Sequence, residues 1–245
     1  MKLLRTWVFC FSILSCIQWA NGQEDKMIDA TVLDSLNKTQ KIPISLRFGV
    51  DLSRIIKTQA TPDYRGFETV ADLRIRENFF IAMELGNEEV TQQSERINFT
   101  TQGTYYKLGF DLNMYENWEG MDNHVLIGVR FASSSHSQNL NSYQLLDRTP
   151  FWQNPELVID SGFSTGSRES LNAFWLEFLV GFKVQIVQNV YLGLSLRLNR
   201  LISDTIPENF DNIYIPGFNK KTEDNKFGAG FNYTLTYRIP FRFKK

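Results

Sequence analysis

Phe174-Trp175-Leu176-Glu177-Phe178-Leu179-Val180-Gly181-Phe182-Lys183-Val184-Gln185 is the stretch whose reading decides the fold. Every second residue is bulky and apolar: Phe174, Leu176, Phe178, Val180, Phe182 and Val184 share one side, and Trp175, Glu177, Leu179, Gly181, Lys183 and Gln185 share the other. A period of two belongs to an extended strand, whose successive side chains point to opposite faces.

Seven further segments keep the same frame on either side of it: Ile44 to Leu52, Phe67 to Ile75, Phe79 to Leu85, Tyr106 to Met114, Val125 to Phe131, Val190 to Leu198 and Ala229 to Phe241. Together the eight apolar faces hold 41 positions, none charged, where a 22% charged chain would place about nine at random. Which face points outward follows from volume. An eight-stranded barrel has an interior just wide enough to be filled by side chains. The apolar set carries 13 Phe and Tyr residues, too much bulk for that interior. The opposite set holds Gly49, Gly86, Gly109, Gly128, Gly181, Gly193, Gly228 and Gly230, which suit a crowded lumen and a tightly curved wall. The expected fold is all-β: an eight-stranded antiparallel up-and-down transmembrane β-barrel with an N-terminal signal peptide.

Connection lengths point the same way. Short turns are expected at Arg76-Glu77-Asn78, at 185–189 and at 115–123, and long loops before Phe67, over 87–103, over 133–170 and over 203–226. Short turns on one side and long loops on the other is the outer-membrane arrangement, with both termini periplasmic. Phe79, Phe182, Tyr237 and Phe241 then fall near the short-turn rim, and Phe67, Phe131, Phe174 and Phe231 near the long-loop rim, as interfacial girdles.

The N-terminus differs in character. Lys2 and Arg5 precede an apolar run from Trp7 to Ile17, and Ala20-Asn21-Gly22 supplies small residues for cleavage. Residues 1–22 therefore read as a secretory signal, 23–41 as a short periplasmic segment and 42–245 as the barrel. Ile13-Leu14-Ser15-Cys16 is a poor lipoprotein box because of its bulky second position. Both cysteines, Cys10 and Cys16, leave with the signal, and with them any disulfide or thiolate chemistry. The chain carries 26 basic and 27 acidic residues, a formal −1 that becomes −3 once Lys2 and Arg5 are removed, so nucleic acid is not an expected partner.

No catalytic residue, metal site or cofactor is expected. The two histidines are too few and too separated for a transition-metal centre, and Gly228-Ala229-Gly230 lies within a strand, not in a phosphate loop. His136, in Ser133-Ser134-Ser135-His136-Ser137, is the sole candidate base near the long loops and reads as a solvated loop residue; His124 falls in a short turn. The lumen-facing charges are Arg47, Asp51, Glu68, Asp72, Arg74, Glu84, Lys107, Asp111, Arg130, Glu177, Lys183, Arg197 and Arg238, seven basic and six acidic. Near balance in a narrow space favours mutual pairing into a plug over an ion path, because unpaired buried charges are expensive. In the 133–170 loop, Phe151 and Trp152 are candidates either for recognition or for a lid over the barrel mouth, and Tyr214, Ile215, Pro216 and Phe218 raise the same alternative.

Ile42-Pro43-Ile44-Ser45-Leu46-Arg47-Phe48-Gly49-Val50-Asp51 and the closing Tyr237-Arg238-Ile239-Pro240-Phe241-Arg242-Phe243 resemble the small outer-membrane barrels of Bacteroidota-type bacteria, and among them a family of conserved domains of unknown function. The resemblance covers nearly all the mature chain. It implies integral residence in the outer membrane and handling by the barrel-assembly machinery, although Lys244 and Lys245 depart from the usual aromatic end. It carries no catalytic residues. The expected function is non-enzymatic: structural, or docking of a protein partner through the long loops. A narrow porin-like channel and a lipid-modifying enzyme are the alternatives.

Overall fold

Period-two alternation over eight segments is realised as eight strands closed on themselves. The computed structural model describes residues 44–94, 97–117, 121–143, 167–205, 212–221 and 226–240. Residues 1–43, which hold the expected signal, the expected 23–41 segment and both cysteines, lie outside them, as do Phe151, Trp152 and the residues after 240.

The elements are β1 (Ser45–Asp51), α1 (Leu52–Ala60), β2 (Tyr64–Arg76), β3 (Phe79–Gln93), β4 (Ile97–Asn113), β5 (His124–Tyr143), β6 (Ser167–Val187), β7 (Val190–Asp204), β8 (Tyr214–Ile215), β9 (Asn219–Lys220) and β10 (Phe227–Pro240). Around the barrel the order is β1-β10-β7-β6-β5-β4-β3-β2, every neighbour antiparallel, and β8 and β9 form a separate two-stranded ribbon. Closure is made by the outermost strands: Arg47 lies opposite Arg238 and Val50 opposite Leu235. Glycine permits the tight curvature here. A Cβ on Gly49 would stand 2.0 Å from the Leu235 carbonyl oxygen, and one on Gly109 1.8 Å from that of Val129.

The apolar set faces outward. Phe48, Leu108, Phe131, Phe178, Val180, Leu196 and Phe231 are all exposed, while Phe80, Trp175 and Tyr191 from the opposite set are buried with the lumen charges. From Met114, just past the end of β4, back along that strand to Tyr106 the outward residues are apolar, and from Thr104 onward they are polar. Those eight steps, at ~3.3 Å each and tilted by about 40°, make an apolar belt roughly 20 Å tall.

The structure corrects three expectations. First, the opening strand stops at Asp51, because its carboxylate caps a helix by accepting the Ser53 N–H at 2.8 Å; Leu52 and Ser53 belong to α1. Second, 87–93, 97–103 and 133–143 are strand, not loop. β3 and β4 run on as a hairpin to a turn at Ser94, whose N–H donates to the Ile97 carbonyl, and β5 continues to Tyr143. Alternation persists there, but the outward residues are now polar (Asn87, Glu89, Gln102, Thr104), so the hydrophobic signal ends while the strand does not. Third, His124 opens β5 and is buried, not in the turn before it.

Above the belt the inner face becomes apolar and the β8–β9 ribbon fills it. Ile215 and Phe218 pack with Tyr105, Ala132, Ala173, Trp175 and Leu201, and Tyr214 packs with Tyr64, Val90, Phe99 and Leu140. The turn needs Gly217 at φ +82°, a conformation other residues adopt at a cost. These ribbon residues form an inward-packed lid.

Candidate functional site

Every second residue of the barrel strands meets its counterparts in the lumen, so the charges gather without any sequence proximity. All thirteen predicted lumen charges make an ion pair there. They fall into three tiers.

In the middle tier, Arg197 donates through both terminal nitrogens to Glu84 (2.6 and 3.0 Å) and through one of them to Glu177 at 2.9 Å. Arg130 grips Asp111 bidentately at 2.7 and 2.9 Å and reaches Glu84 at 3.2 Å. Lys107 Nζ lies 3.1 Å from Glu177, whose other contacts include the Trp175 indole N–H at 2.7 Å. Glu68 accepts from Tyr105 Oη at 2.6 Å and Asn232 Nδ2 at 2.8 Å.

In the tier toward the short turns, Asp72 pairs with Arg47 and Lys183, and the Arg47 guanidinium stacks over Phe80 at 4.5 Å. At the rim Asp122 gathers Arg238, Arg74, His124 and the Tyr191 hydroxyl. In the tier under the lid, Arg54 from α1 pairs with Glu88, which also accepts from Tyr64, from Tyr214 and, at 2.6 Å, from the Gly217 N–H.

Arg54, Glu88 and Asp122 were missed by sequence reading. Arg54 sits in a helix inside an expected loop, Glu88 on the strand extension and Asp122 in a turn; for Glu88 the continued alternation past Gly86 was the available signal.

His136 is buried in β5, not solvated: its Nε2 is 3.1 Å from Asn212 Oδ1, and Ser134 Oγ is 3.4 Å from its Nδ1. With Ser134 also buried, the group ties the segment before the ribbon to the wall.

The space between the middle tier and the Asp72 pairs is small. A cavity of about 50 Å³, bordered by Asp72, Glu84, Arg130 and Lys183, is room for at most a few waters. No group of three or more metal-ligating side chains converges among the described residues.

Asp122 supplies a pH-dependent test. Burial would raise its carboxyl, but the His124 ring 3.3 Å away, the hydrogen bond from Tyr191 and the Arg238 charge outweigh that and hold it well below the usual carboxylate range. A depressed carboxylate contributes stability above its unfolded pKa of about 3.9 and loses it as pH falls toward the folded value. Asp122→Asn is therefore expected to melt below the unaltered chain at pH 7, the gap closing as pH falls from 4 toward 2. Thermal scans in detergent at stepped pH measure it; a gap constant with pH would refute the assignment.

Residues 3–245 match the family described as Domain of unknown function (DUF6048). The search of curated proteins gives no match. Among solved structures the chain is similar to the crystal structure of Ail, the attachment invasion locus protein of Yersinia pestis, at 10% identity and a TM-score of 0.39, covering 80% of this chain and 97% of that one. With the match spanning the barrel from first strand to last, the chain belongs to the DUF6048 family.

Proposed function

We propose that this protein is an integral outer-membrane barrel with no through channel, non-enzymatic, whose role is structural or the docking of a protein partner at the long-loop rim. The observation that carries the reading is the reversal of the usual packing: Phe131, Leu196 and Phe231 are 61–66% exposed, while Glu68, Glu177 and Asp51 are fully buried. Water would make such an exterior a large aggregation surface, whereas hydrocarbon accepts it. Closure supports this too, since every barrel strand has two neighbours, with only the stretch beyond the end of β1 left without a strand between β2 and β10, and an open edge in lipid would leave unpaired backbone groups.

The ion-paired lumen supports a plug over a pore. His136, held between Asn212 and Ser134 and buried, is occupied structurally. In this reading the host is a Bacteroidota-type bacterium, on the resemblance of the first and last strands, and the leader directs export.

Three measurements on one preparation test it. The protein should float with phospholipid vesicles after carbonate washing, show no steady conductance in planar bilayers, and recover one stoichiometric companion on mild-detergent purification from the native envelope. Release by carbonate would overturn the membrane reading, and stable conductance steps the plugged lumen. Recovery of no companion would leave the structural role and remove docking.

A further inference from the structure

The barrel wall is incomplete beside α1. β1 ends where Val50 meets Thr69 of β2 and Asp51 meets Thr234 of β10, yet β2 extends back to Tyr64 and β10 to Phe227. Two strand edges, 64–68 and 227–233, thus face each other with no strand between them. α1 stands in the gap, but it is bonded mainly to one side. Thr58 Oγ1 accepts from the Gly66 N–H at 2.9 Å and donates to the Gly66 carbonyl at 3.1 Å, replacing the missing strand partner, and Arg54 donates to Tyr64 Oη. Toward β10 the tie is at the helix base, where Asp51 accepts from the Tyr233 N–H at 3.2 Å and from Asn232 Nδ2 at 2.6 Å.

Above that tie a cavity of about 500 Å³ separates α1 from β10. Its outer part is formed by Ile56, Leu194 and Phe231, exposed by 58, 48 and 65%. Its charged lining is cationic: Lys107 and Arg197 are buried, Arg54 is half-buried and Lys57 is exposed, and no acidic side chain lines it among the described residues. The carboxylates that pair Arg54, Lys107 and Arg197 are not part of the lining. Lys57 rests on the Tyr64 ring at 3.8 Å, with no carboxylate in ion-pair range among the described residues. Two buried polar atoms at the inner end, Arg197 Nε and Asn199 Oδ1, have no hydrogen-bond partner. At Gly230 the space is open, the first atom a Cβ would meet being Asn219 Nδ2 at 3.7 Å.

Apolar at the lipid side and cationic within, the cleft matches an amphiphile in both halves. We propose that it binds one anionic membrane lipid laterally, acyl chains along Ile56, Leu194 and Phe231 and a phosphate head group turned in toward Lys57 and Arg197. This deepens, and rests on, the membrane reading above. The interaction is non-covalent.

Native mass spectrometry of the full chain in nonionic detergent, titrated with phosphatidylglycerol and with phosphatidylcholine of the same acyl chains, tests the site. One phosphatidylglycerol should bind first, about 10-fold more tightly than phosphatidylcholine. Lys57→Gln should reduce that preference by about 5-fold, the scale of one half-exposed ion pair. Gly230→Phe should abolish the specific first binding by filling the cleft. Equal binding of the two lipids, unchanged binding by Gly230→Phe, or displacement by millimolar inorganic phosphate alone would overturn the proposal. Vesicle flotation of the same variants separates the two readings: a chain that floats and shows no preference lacks the site, and one that does not float fails the membrane reading.

Discussion

Glu84→Gln should lower the unfolding free energy by about 3–5 kcal/mol, the usual cost of removing one partner from a buried ion pair. Glu84 is the hub of the middle tier. It accepts from Arg197 through two bonds and from Arg130 through one, with Lys107 at 3.7 Å. The amide keeps the volume but not the charge, leaving three buried cations with fewer carboxylates. Most of the loss is the desolvation of Arg197 and Arg130 once their shared counter-charge is gone. Reversible urea unfolding in detergent micelles, followed by tryptophan fluorescence, reads it as a midpoint shift. A shift below about 1 kcal/mol would mean that water reaches the tier and screens it, as at a surface pair. That outcome would remove the plug from the proposed function and reopen a conducting lumen.

Val180→Arg should cost about 2–4 kcal/mol in a bilayer, the penalty for a cation near the midplane on the lipid face of a barrel. Val180 is 51% exposed, lies midway along the outward run from Phe174 to Val184, and pairs with Ile127 and Leu196. In a water-soluble barrel the same change at a half-exposed site would be close to neutral. Gln102→Arg, on the outward polar stretch of β4 above the belt, is the control and should be neutral. Refolding yield into phosphatidylcholine vesicles, resolved by the gel mobility of folded and unfolded forms, makes the comparison. Equal yields for Val180→Arg and Gln102→Arg would refute burial of the belt in hydrocarbon.

The central strands were legible because burial in a two-faced wall imposes alternation directly on neighbouring residues. Phe174 to Gln185 shows it best: Glu177 and Lys183 share a face and both enter the lumen network. Legibility ended where the outer face changed solvent. Past Gly86 and Phe131 both strands continue, but their outward residues become polar, so hydrophobic periodicity fades even though hydrogen-bonded pairing does not. His136 was misread for that reason, since a serine-rich run resembles a loop unless its inward positions are seen packed. α1 was hidden differently. Its apolar residues suit a strand as well as a helix, and the Asp51 cap that ends β1 has meaning only once Ser53 folds back upon it.

By itself the sequence determined the number of barrel strands, their antiparallel closure, the outward apolar face and the thirteen strand-borne charges read as facing the lumen, because each follows from the period of a single strand and the volume a barrel can hold. Only the tertiary structure decided which charges pair, that Tyr214, Ile215 and Phe218 turn inward, and that α1 leaves a cleft beside β10. Those contacts join residues as distant as Asp51 and Asn232, and the shortfall of β1 against β2 and β10 is a property of three strands together. No local pattern encodes such a difference in length, since each strand alone satisfies its own alternation wherever its neighbour stops.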